Sequence, residues 1–140
     1  MQLNPYGEYA VLLAASLAND WPSDRDGIVA RTYEFGMTAI YAPAAPSDLD
    51  ATHAVIDSWL EVVDAKSAAQ RATLLNRLMA AATAYPRLTD HDGEWHLHYR
   101  DDDQRLPQVL RAVIAVGTAL HVTTRGMERL SRCAAGRVPG

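Results

Sequence analysis

The stretch Tyr85–Arg100, YPRLTDHDGEWHLHYR, decides how the rest of this 140-residue chain is read. Here alone the hydrophobic period changes from helical to alternating. From Glu94 onward, Trp95, Leu97 and Tyr99 point one way, and Glu94, His96, His98 and Arg100 the other. Arg87-Leu88-Thr89 supplies a partner strand. Asp90-His91-Asp92-Gly93 is turn chemistry, with Gly93 suited to positive φ. A lone hairpin is marginal in water, so its apolar face requires helices to cover it. The expected fold is α+β: mostly helical, with five to six helices and one small antiparallel β-hairpin around residues 87–100.

Working outward, residues 5–20 read as a first helix. Tyr9, Leu13, Leu17 and Trp21 recur every fourth residue, and Pro22 ends the run. Asp24 or Asp26 caps a second helix carrying Ile28, Val29, Thr32 and Phe35, with Gly36 as its stop. Tyr41–Pro46 is an extended connector too short to link domains. Ser47, with Asp50 three residues on, opens a third helix whose stripe is Leu49, His53, Ile56, Leu60 and Val63, widened by Trp59. Ser67 and Gln70 open a fourth, carrying Leu74, Leu75, Leu78, Met79 and Ala82. After Asp101–Asp103, Pro107 suits the first turn of the most apolar helix, with Leu110, Val113, Ile114, Gly117 and Leu120. Thr124 caps a last short helix with Met127 and Leu130.

The totals fit one soluble domain. The apolar fraction is 49%, the charged fraction 21% and the net charge −4, which excludes a disordered chain and a general polyanion binder. A single cysteine, Cys133, excludes an internal disulfide and fits a reducing compartment. With no secretory leader and no apolar run of roughly 18 residues, the expected location is cytoplasmic, with no membrane partner.

Several residues invite chemistry. His96 and His98 leave one face of a strand about 6–7 Å apart at the backbone. That spacing can hold a metal with Glu94, His91 or Asp92, although the plainer reading is a solvated outer face. His53 reads as a hydrogen-bonded core histidine, and His121 as an answer to the negative end of a helix dipole. Asn19 and Asp20 end the first helix beside Trp21, either as a cap or as a corner that hydrogen-bonds a small ligand. Arg125, Arg129, Arg132 and Arg137 gather near the C-terminus, either as a solvated face or as the edge of a nucleic-acid module. There is no P-loop, GxGxxG, GxSxG or HExxH, and no nucleophile with a placed base, so no enzyme is expected.

VLLAASLAND (Val11–Asp20), Pro86-Arg87-Leu88, Trp95-His96-Leu97-His98 and Arg129-Leu130-Ser131-Arg132-Cys133 together resemble the N-terminal ABATE domain of bacterial CGNR zinc-finger proteins, a family of stress-induced transcription regulators. The resemblance covers nearly the whole chain. It is loose over residues 22–65 and best over 85–135. It implies an ABATE-like regulatory domain over residues 1–130 and the beginning of a zinc-finger segment over 131–140. In that family the cysteine matching Cys133 is the first zinc ligand of a C-terminal finger, and Arg132 flanks it. The sequence departs from the family where Asn19-Asp20 stands for an Asn-Thr-type pair. No second cysteine or CGNR segment follows Cys133, and a tetrahedral site needs four ligands. The chain is therefore expected to be cut before the finger or a finger-less version, holding no cofactor itself, with zinc and DNA belonging to the missing finger.

What the resemblance implies is a sensor for a small-molecule effector. Its cavity is expected between the hairpin and the first and last helices, lined by Asn19, Trp21, Trp95, His96 and His98. A rival reading is a homodimerising interaction module, with Trp59, Tyr41 and the alanine-rich faces at its interface. The least favoured is a metal-dependent enzyme built on His96 and His98.

Overall fold

The structure is a computed structural model, and it describes residues 8–36, 45–82, 87–89, 93, 95–98, 105–133 and 138. It is mostly helical. Five helices follow in order: α1 (Glu8–Asn19), α2 (Arg25–Glu34), α3 (Asp48–Val63), α4 (Ala68–Ala82) and α5 (Leu106–Arg125). At 1.5 Å per residue the 20-residue α5 runs about 30 Å. It packs against α1, α3 and α4, and its buried residues include Leu106, Leu110, Val113, Ile114 and Val122. By length and composition it is also apolar enough to cross a membrane, but 61% of its apolar window is buried inside the bundle.

Local chemistry sets several helix ends. Asp24 caps α2 by accepting the Gly27 amide at 2.8 Å, and Gly36 follows its end at φ 90°. Ser67 accepts the Gln70 amide at 3.1 Å, while the Gln70 side chain reaches back to the Lys66 amide at 2.7 Å. The entry to α5 is closed by Gln108, whose Oε1 accepts the Arg105 amide at 2.9 Å, and Pro107 sits in its first turn. Among the described residues no sixth helix follows it. α5 runs through Thr124, Gly126 follows at φ 121°, and residues 126–133 are irregular.

The expected stripes are partly displaced. Tyr9 is 55% exposed, although Leu13 and Leu17 are fully buried. On α3 the buried line is Asp48, Thr52, Val55, Ile56, Trp59, Val62 and Val63. His53 is exposed, so it is not a core histidine. Trp59, far from lying at an interface, is wholly buried and donates its indole N–H to Thr118 Oγ1 at 3.0 Å, joining α3 to α5.

Two three-residue stretches, β1 (Arg87–Thr89) and β2 (His96–His98), pair antiparallel, with Leu88 opposite Leu97. Most of the turn expected between them lies outside the described residues, as do residues 99 and 100. Gly93 has φ 84°. Among the described residues neither stretch touches a helix, and Leu88 and Trp95 are each 70% exposed. Among the described residues the helices form the core, and Leu88 and Trp95 lie outside it.

Ser47 does not cap α3 with its hydroxyl. The next residue, Asp48, opens the helix with its side chain wholly buried. It accepts the Ala45 amide at 3.0 Å, Arg25 Nε at 2.7 Å and Arg105 Nη2 at 3.0 Å, tying the entrances of α2, α3 and α5 together. Burial pushes the carboxyl pKa up. The bonds from Arg25, Ala45 and Arg105 outweigh that and hold it below its ordinary value. A lowered folded pKa favours the native state above the unfolded value of about 3.9, an advantage lost as pH falls through the folded value. Asp48→Asn is expected to lower unfolding free energy at pH 7 by about 2–3 kcal/mol. It should also flatten the loss of stability below about pH 4, measured by urea unfolding across pH.

Candidate functional site

The chain after α5 is built into the body, and an arginine does most of the work. Arg71, in the first turn of α4, is 5% exposed. Its Nε donates to Val62 O at 3.0 Å, and its Nη2 to Val63 O at 2.9 Å and Ala65 O at 3.4 Å. On the other side Nη2 donates to Leu130 O at 2.8 Å and Nη1 to Met127 O. Five carbonyls thus surround one cation. Three lie at the C-terminal end of α3, where carbonyls lack helical partners and the dipole is negative. The other two belong to the segment leaving α5. Arg132 adds a two-point ion pair to Asp64, at 2.8 and 3.0 Å, across the same junction. A groove of about 390 Å³ runs along it, between Asp64–Ala68 and Met127–Arg132.

Further along, Val138 docks on α1. The Asn19 side-chain amide copies a backbone pair: Nδ2 donates to Val138 O at 2.7 Å, and Oδ1 accepts the Val138 amide at 3.0 Å. Leu130 and Val138 are 4% and 2% exposed and belong to the main core. Arg31 fixes the end of α1 from the other side, donating to Ser16 O at 3.0 Å and Ser16 Oγ at 2.8 Å. A second cleft, of about 270 Å³, opens between α1, α5 and this segment, lined by Glu8, Leu12, His121, Arg129, Ser131 and Val138. Burial pushes the His121 pKa down, Arg125 adds to this and Glu8 opposes it, so the neutral imidazole is favoured. Its buried Nδ1 has no hydrogen-bond partner.

The residues expected to line a ligand cavity are not brought together. Asn19 is committed to Val138. Trp21 is half-buried and stacks on His53, centroids 4.5 Å apart and planes at 25°. His53 also lies 3.9 Å from Asp57. Trp95 faces solvent, and no described contact carries β1 or β2 to α1 or α5. The side chains of His96 and His98 lie outside the described residues, as do His91, Asp92 and Glu94. Among the described residues no three potential metal ligands gather. Cys133 is exposed beside Arg132. As the chain's one cysteine, it does not supply the donor set that a structural zinc needs.

Arg71 and Asn19–Val138 were legible to different degrees. Arg71 falls in line with Leu75, Leu78 and Ala82 at helical spacing, and a cation on an apolar line is a signal of burial. Nothing in the sequence pairs position 19 with position 138. No family model matches this chain, and no curated protein matches it.

Replacing Arg71 with Met is expected to lower unfolding free energy by about 3 kcal/mol or more, because it strands buried carbonyls. Arg71→Lys, with a charge but no fork, should fall between. Urea titration of the variants measures both, and a Met variant as stable as the parent would refute the clasp.

Proposed function

We propose that this chain is a cytoplasmic regulatory domain without catalytic activity, which senses a small-molecule effector and transmits its state through the segment that follows α5. The observation carrying this reading is the docking of residues 127–133 and 138 by Arg71, Arg132 and Asn19. In the ABATE-like reading this segment leads into a CGNR zinc finger. Anything attached beyond it then inherits an orientation set by α1, α3 and α4. The resemblance at Val11–Asp20, Trp95–His98 and Arg129–Cys133 adds the DNA-binding partner, and zinc belongs to that partner. The alternating segment 87–100, taken as a complete hairpin, would carry Trp95, His96 and His98 toward the effector. Asn19 would then be the switch, since an effector taking its amide releases Val138.

The test extends the chain with a CGNR-type finger and compares the parent with Asn19→Ala on one duplex at one salt concentration. Releasing Val138 should change DNA affinity several-fold while the helices stay folded. Identical affinities would make the domain an inert attachment and end this reading.

A second reading is favoured by Leu88 and Trp95, both 70% exposed on the paired strands. Two copies would pair through that apolar face. Light scattering decides it: a dimer lost in Trp95→Ser supports the pairing, and a monomer at high concentration refutes it.

A further inference from the structure

A third cleft, of about 200 Å³, lies where the first turns of α3 and α5 meet, bordered by Ser47, Ala51, Val55, Arg105, Gln108 and Arg111. Its polar groups are unevenly satisfied. Arg105 spends Nη2 on Asp48 and on Ser47 Oγ, at 3.0 and 2.8 Å, but its buried Nε has no partner. Arg111, one turn into α5 and half-buried, has a buried Nε without a partner. Among the described residues it forms no ion pair. Two arginines, Arg105 and Arg111, thus border the cleft with no carboxylate among its described lining residues, which leaves it positive; Asp48, bonded by Arg105, is shared with Arg25. A guanidinium stays charged at any working pH, and an unmatched buried donor costs stability until an acceptor arrives. Ala51 and Val55 give the cleft an apolar wall that suits a short carbon chain.

We propose that this cleft binds the oxyanion head group of a small metabolite, a phosphate or a carboxylate. The Arg111 guanidinium is the donor, Arg105 beside it adds positive charge, and the apolar wall takes the carbon skeleton. A planar fork matches either oxyanion with two parallel bonds, which suits Arg111 to either head group. As the effector site of the regulatory domain, this assignment rests on the function proposed above; as a binding site it stands apart from it.

The experiment uses the 140-residue chain with inorganic phosphate as probe, acetate as the carboxylate arm and chloride as the reference at equal ionic strength. A saturable rise in Tm beyond chloride is expected from one arm or both, and the responding arm names the head group. Arg111→Gln should weaken the response about tenfold or more while unfolding in chloride at nearly the parent's temperature. Gln108→Glu keeps an acceptor for the Arg105 amide but places a carboxylate at the cleft, so it should weaken binding without unfolding α5. A rise no larger than chloride's, or one kept in full by both variants, overturns the proposal and leaves the docked segment untouched. Saturable binding that leaves the DNA affinity of the finger-bearing chain unchanged retains the site and removes its role as effector site.

Discussion

A guanidinium held among five carbonyls is the interaction on which the arrangement of this protein depends. Among the described residues Arg71 has no carboxylate in its cage. Its charge is spread over peptide dipoles, three of them at the end of α3, and that end is where a helix is most negative. Without the cation, the α3–α4 turn and the segment after α5 would meet as two sets of acceptors with nothing between them. With it, a stretch of chain that has no regular secondary structure acquires a fixed position. Leu130 and Val138 can then be buried as core residues instead of lying on the surface.

Asp48 does the complementary work at the other end of α3. It is a buried anion at the positive end of the helix, matched by Arg25 and Arg105. The two buried charges sit one at each end of the helix. Each has the sign opposite to the dipole it meets, and each ties down an element distant in sequence. α5 needs no such device along most of its length, because Leu106, Leu110, Val113, Ile114 and Val122 bury against three neighbours. It ends at Gly126, where φ of 121° turns the chain back toward Arg71.

The helical character was readable because it follows from short-range chemistry: Asp24 at the start of α2, Ser67 before α4 with Gln70 in its first turn, Pro107 in α5. Faces were less so. The expected stripe of α3 holds at Ile56, Trp59 and Val63, which are buried, and at Leu49 and Leu60, which pack on the core, but it fails at His53 and misses Asp48, Thr52, Val55 and Val62. The charged member of that missed set was the clue, since a carboxylate there has to be paired. The alternating segment is informative in a narrower way. Alternation reports a strand with two unlike faces but not whether anything covers the apolar one, and Leu88 and Trp95 are uncovered. Asn19 was singled out for ending a helix near aromatics. Its partner 119 residues away could not be inferred, because a side-chain amide matches any free backbone pair.

The function proposed above rests on that coupling. In that reading, a change in α1, α3 or α4 reaches the segment that carries Leu130 and Val138. The most direct test is hydrogen exchange at the Val138 amide, which donates to Asn19 Oδ1. The account predicts protection well above that of an open chain, lost in Asn19→Ala while the amides of α5 remain protected. Exchange at the open-chain rate in the parent protein would contradict it.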